Sequence, residues 1–218
     1  MIATKKKAWD IVGGLSKPSK MPCLSTGISA FECQTGSKLA KITGTPCSQC
    51  YAKQGSYTMY PAVAVAHERR LQAIDSPLWV DAMVMLLGKE SHFRWFDSGD
   101  IQSLVHLHKI VEVARKTPNC LHWLPTQERK YVESYTGSFP SNLIIRISQV
   151  KIDSIPVPSH ALSSMVTTSS TVPSHVSLCH ASKNEGKCGD CRNCWNANIQ
   201  CIAYPSHGHS LLTIKKKG

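Results

Sequence analysis

The 218 residues predict an α/β protein with irregular, cysteine-rich segments on either side of a regular centre. Two features carry this. Between residues 92 and 148, apolar runs of strand length alternate with segments of helical periodicity, the signature of parallel β/α units. The flanking runs are dense in cysteine, glycine and proline, and the last two disfavour helices and central strands.

Residues 1–20 are polar and basic and read as an arm. Residues 21–58 read as irregular and hold Cys23, Cys33, Cys47 and Cys50. Pro61 to Ile74 predicts a helix, with proline near its start, where it is tolerated. Asp75-Ser76-Pro77 breaks the chain, and Ser76 is placed to cap a second helix running to Leu87. His92 to Phe96 is an aromatic-rich strand ending at Asp97-Ser98-Gly99-Asp100. A helix from Ile101 to Lys116 follows and stops at Thr117-Pro118. Cys120 to Leu124 reads as a strand, Arg129 to Tyr135 as a short helix, and Asn142 to Ser148 as the clearest strand. After Val150 only short β-prone pieces remain, at 162–168, 175–179 and 199–204. One domain is expected over 21–207, then a basic tail at 208–218.

The formal charge is +11, from 25 basic and 14 acidic residues, which favours nucleic acid or another anionic ligand as partner. Lysines at 5–7 and 215–217 read as solvated ends and discount that signal. There is no apolar run long enough to span a membrane, and no apolar segment follows the basic start, so a cytoplasmic location is expected. In such a compartment thiols stay reduced, and the ten cysteines point to metal or redox chemistry rather than disulfides.

The cysteines form two groups. Cys47 and Cys50 make a C-x2-C pair, with Cys33 fourteen positions before Cys47. Such a pair can turn both sulfurs toward one metal. Cys23 is either a further ligand or a buried thiol. Cys179, Cys188, Cys191 and Cys194 form a C-x8-C-x2-C-x2-C run. Its close triple spacing favours an iron–sulfur cluster, with a four-thiolate zinc site as the alternative.

In α/β folds working residues lie at the C-terminal ends of strands. Here those ends supply Asp97, Ser98, Gly99 and Asp100; then Thr126, Gln127 and Glu128; then Arg146, Ser148 and Gln149. Helix capping alone can account for Asp100 and Thr126. Arg146 lies inside an apolar strand and needs a partner or a ligand. Of the ten histidines, His92 and His122 lie on strands, whereas His106 and His108 point to different faces of one helix. No H-E-x-x-H is present, and most histidines read as surface or core residues.

Several runs resemble the phage proteins called gene product 88. They are Met21-Pro-Cys23, Cys33 to Leu39, Cys47-Ser-Gln-Cys-Tyr-Ala52, Phe93 to Asp100, Trp123-Leu-Pro-Thr126, Asn142 to Ser148, and Cys188-Gly-Asp-Cys-Arg-Asn-Cys-Trp195. More distantly, Cys47-Ser-Gln-Cys-Tyr-Ala is similar to the cluster loop of radical S-adenosylmethionine (SAM) enzymes. That likeness implies a partial (β/α) barrel and a [4Fe-4S] cluster held by Cys33, Cys47 and Cys50, with SAM on the remaining iron. The family's usual C-x3-C-x2-C is C-x13-C-x2-C here. Ser98-Gly99-Asp100 resembles the family's glycine-rich motif at the SAM amino group, and Arg146 and Ser148 would fall near the ribose or carboxylate. The second cysteine group resembles auxiliary clusters of some members. The expectation is therefore a radical-SAM-like iron–sulfur enzyme with one or two clusters. The alternative is a non-catalytic iron–sulfur or zinc-stabilised protein, nucleic-acid-binding or virion-associated.

Overall fold

A computed structural model of the chain describes residues 2–157 and 161–206, so the basic tail at 208–218 lies outside the described residues. The helices are α1 (Lys5–Ile11), α2 (Gln34–Leu39), α3 (Ser56–Met59), α4 (Pro61–Ala73), α5 (Trp79–Leu87), α6 (Leu104–Lys116) and α7 (Arg129–Glu133). The strands are β1 (Leu24–Ser25), β2 (His92–Arg94), β3 (Leu121–Thr126), β4 (Leu143–Ser148), β5 (Ser163–Thr167), β6 (Val176–Leu178) and β7 (Cys201–Pro205). They form one seven-stranded sheet in the order β1-β2-β3-β4-β5-β7-β6. Every strand pairing is parallel, and the sheet is open, with β1 and β6 at its edges.

The predicted α/β class and central alternation of strands and helices are present. Helix α6 starts three residues later than its periodicity suggested. Ser103, not Asp100, is its cap, its hydroxyl accepting from His106 N at 3.0 Å. Ser76 takes a bond from Leu78 N, within the turn before α5. Residues 1–20, expected as a polar arm, carry α1, whose Ala8 is buried and followed by buried Val12 and Leu15. The lysines of that segment masked its apolar stripe.

The two sheet faces differ in chemistry. Helices α1, α5 and α6 cover one face with Trp79, Met83, Leu87, Leu107, Ile110 and Val111, packed on Phe93, Trp95 and Leu124 of the β2–β3 region. Alternation along the strands sends Arg94, Trp123 and Arg146 to the other face. There the C-terminal cysteine-rich loop closes over the sheet. Trp195 packs with Cys23 and Trp123, and its indole donates to Phe93 O at 2.9 Å. Among the described residues, no helix is long and apolar enough to cross a membrane.

Candidate functional site

The loop after β1 carries the first cysteine group. Ser29 caps a short 3-10 turn over Ala30–Glu32, and Cys33 then stands at the N-cap of α2. Thr45, fully buried, starts the next turn: its hydroxyl donates to Leu39 O at 2.8 Å and accepts from Ser48 N at 3.1 Å. This folds the C-x2-C pair into a 3-10 turn over Pro46–Gln49, with Cys50 N bonded to Cys47 O at 3.3 Å. Gly36 shows how the thiols converge. A Cβ on Gly36 would lie 3.6 Å from both the Cys33 and Cys47 sulfurs and 3.0 Å from Cys33 Cβ. A side chain there would crowd the space the two thiols share.

Charge reinforces that convergence. Burial pushes the Cys33 thiol up, with Asp100, Cys50 and Cys47 adding to the effect. Burial pushes Cys47 up to about 11, again with Cys50 and Asp100 contributing, while Lys53 opposes. Three thiols and a carboxylate thus share one partly dry region, an arrangement that a cationic metal centre would relieve.

Two carboxylates at strand ends build the floor. Asp100 accepts from Thr126 Oγ1 at 2.6 Å, Ile101 N at 2.8 Å and Gln127 N at 2.8 Å. Burial nonetheless raises its pKa to about 7, because desolvation outweighs those three bonds. Glu128, fully buried, takes the backbone N–H and hydroxyl of Thr35 and so pins α2 to the end of β3.

Between these lies a strained segment. Phe96 has φ of 54°, unusual for a bulky side chain, and Gly99 has φ of 81°. A Cβ on Gly99 would come 2.3 Å from Ile28 Cγ1, so only glycine fits. Asp97 Oδ2 accepts from Ser25 Oγ at 2.7 Å, whereas Asp97 Oδ1 and Ser98 Oγ are buried without a partner among the described residues. Orphaned polar atoms beside strained backbone at a strand end are where a ligand would bind.

The second group sits elsewhere. Cys179 N bonds Ala203 O at 2.8 Å, Cys188 N bonds Lys20 O at 3.0 Å, and Cys194 Sγ lies 3.3 Å from the Tyr204 hydroxyl. Burial raises the Cys188 thiol, and Cys179 and Cys191 raise it further. Cys23 belongs with these residues. Burial pushes it up to about 12, and its charged neighbours are Arg94, Cys188 and Arg192. Arg94 stands between the groups, donating to Met21 Sδ at 3.2 Å and to the Tyr51 hydroxyl at 3.4 Å, with its guanidinium 4.7 Å over Trp123.

Arg146 is where the structure departs most from the cofactor contact that the motif resemblance implied. It is fully buried and donates to the carbonyls of Cys194, Ser163, Ile199, Asn193 and Asn196 at 2.8–3.4 Å. Its bonds hold the second cysteine loop rather than reaching Asp97 or Asp100. Ser148 Oγ lies 3.2 Å from Ser164 Oγ. His122, a site candidate from its strand position, is fully buried on the helical face and bonded to Thr117. Among the described residues, no three His, Cys, Asp or Glu side chains already stand close enough to hold a metal ion. Sequence reasoning noted Glu128 as a strand-end acid but missed its grip on Thr35, and no local pattern announces that pair.

These features define an α/β protein with an open parallel sheet, a cysteine loop at the C-terminal ends of its first strands, and a second cysteine loop over one face. The gene product 88 family model matches residues 3–197, most of the chain, and the chain belongs to that family. No curated protein and no solved structure matches it, so the radical SAM likeness rests on the motifs alone.

Proposed function

We propose that the chain is an iron–sulfur protein in which Cys33, Cys47 and Cys50 hold a [4Fe-4S] cluster, and that it works as a radical-SAM-like enzyme. The sheet then corresponds to a partial (β/α) barrel. The observation that carries the reading is the separation of Cys23 from the first group. Cys33 and Cys47 share the space beside Gly36, with Cys50 near enough for its charge to act on both, while Cys23 feels the charge of Cys188 and packs against Trp195. Soft thiolate donors suit iron–sulfur centres, and three of them leave one coordination position without a protein ligand. When bound, such a cluster supplies one electron and that open position to SAM.

The chain's own residues do the rest. Glu128 fixes α2, and with it Cys33, to the sheet. Asp100 ties the end of β2 to the end of β3. Ser98 Oγ and Asp97 Oδ1, lacking partners, are the acceptors left for a cofactor's amino group, and Gly99 keeps the backbone close to Ile28.

The second cysteine group, with Cys23, reads as a structural centre, iron–sulfur or zinc. Arg146 and Trp195 bind the 193–199 stretch of that loop to the sheet, which suits a closed staple. A non-catalytic protein with two such staples is the competing reading. Anaerobic purification followed by iron, sulfide and zinc analysis tests the first claim. Addition of SAM to the reduced protein, read by EPR and by 5′-deoxyadenosine release, tests the second. Zinc without labile sulfide would overturn the cluster. An EPR signal unmoved by SAM would overturn the enzyme.

A further inference from the structure

Beside the first cysteine loop lies a cleft of about 390 Å³ lined by residues of that loop, α3 and α4. Its lining contrasts with the rest of the molecule. The chain carries +11, yet the charged side chains of the cleft are the carboxylates of Glu32 and Glu68. Its aromatic wall is Phe31, 60% exposed, with Tyr57 and His67 stacked at 5.9 Å between ring centroids.

The cleft offers acceptors at its two carboxylates and at one imidazole nitrogen. Thr58 has given its hydroxyl proton to Gly55 O at 3.2 Å. Glu68 takes one bond from Gln72 at 2.7 Å and keeps its other oxygen, and Glu32 has no partner among the described residues. His67 is the decisive group: only 5% exposed, it lines the cleft and makes no hydrogen bond among the described residues. Its ring nitrogens are not among the buried atoms that lack a partner, so they are open to a ligand in the cleft.

We propose that this cleft binds a guanidinium-bearing ligand, such as an arginine side chain. Donor-rich, planar and cationic, a guanidinium matches two carboxylates, a free imidazole nitrogen and aromatic faces together. The chain already demonstrates the attraction, since the Lys53 ammonium stands 5.3 Å over the Phe31 ring. The inference does not depend on what the cysteines hold.

The test is titration of the full chain with N-acetyl-arginine methylamide and with its neutral isostere, N-acetyl-citrulline methylamide, read by NMR shifts of the cleft residues. Saturable binding of the arginine compound is expected, about tenfold tighter than the citrulline compound. Glu68→Gln and Phe31→Ala should each weaken it by about fivefold, with metal content unchanged. Both changes lie at exposed positions, so the variants fold. Equal affinity for the two compounds, no saturation, or indifference to both substitutions would overturn the proposal.

Discussion

Glu128 holds Thr35 with both carboxylate oxygens, one taking the backbone N–H at 2.6 Å and the other the hydroxyl at 2.7 Å. The two residues are 93 positions apart, yet this clamp sets where α2 and Cys33 sit against the sheet. Glu128→Gln removes the charge, keeps one oxygen for the Thr35 N–H and leaves the hydroxyl facing an amide that can only donate to it. It should cost about 2 kcal/mol and weaken metal retention at the first group. Thermal unfolding together with iron content after dialysis reads both effects, and unchanged retention would separate the clamp from the centre.

The two cysteine groups should respond separately. Cys47→Ala should remove the share of iron and sulfide whose EPR signal responds to SAM. Cys23→Ala should leave that signal intact and loosen the C-terminal loop, because Cys23 packs with Trp195 and Cys194. Loss of the SAM-responsive signal in the Cys23 variant would reverse their assignment.

Arg146 should matter for stability. Arg146→Met keeps bulk but strips donors from the carbonyls of Asn193, Cys194, Asn196 and Ile199. A loss of about 3–5 kcal/mol is expected, with early protease cleavage in the 193–199 loop. A variant of wild-type stability whose EPR response to SAM alone was lost would return Arg146 to the cofactor.

Glycine positions offer a paired comparison. Gly99 and Gly44 share φ of 81°, but a Cβ meets Ile28 Cγ1 at 2.3 Å in the first and nothing within 4 Å in the second. Gly44→Ala should cost about 1 kcal/mol of backbone strain alone, and Gly99→Ala at least ~3 kcal/mol because Ile28 must also move. Equal melting temperatures for the two variants would remove the steric argument.

Acid should destabilise the fold through its buried histidines before carboxylates of ordinary pKa titrate, whereas Asp100, raised to about 7, acts in the opposite direction. Thr117 donates its hydroxyl to Val113 O at 2.7 Å, so it accepts from His122 Nε2–H at 2.8 Å, leaving Nδ1 bare and buried. Burial lowers the His122 pKa to about 4, and burial with Lys109 lowers that of His106 to about 3. The unfolded chain therefore takes up these protons first. Stability is full above the ordinary histidine value of 6.5 and is lost as pH falls from there toward 4. Each imidazole should cost about 2 kcal/mol between roughly pH 7 and 5. His122→Gln should flatten this branch, and a profile no flatter than wild type would contradict it.

Local chemistry made much of the fold legible. The nearly continuous apolar run of Leu143–Ser148, the 3.6-residue period of α6 and the proline opening α4 depend on near neighbours and are visible in the chain. So is the spacing that folds Cys47 and Cys50 into one turn. Composition misled at the start of the chain, where three lysines hid the helix that buries Ala8. Which cysteines keep company was settled by packing. Cys23 precedes β1 by one residue, as close in sequence to the first group as to nothing else, yet Trp123 and Trp195 draw it to the second. Arg146 needed a partner on any reading, but its partners lie 17 to 53 positions away. Such pairings follow from which strands become neighbours and which loop covers each face, and those are properties of the assembled sheet that no short window of sequence contains.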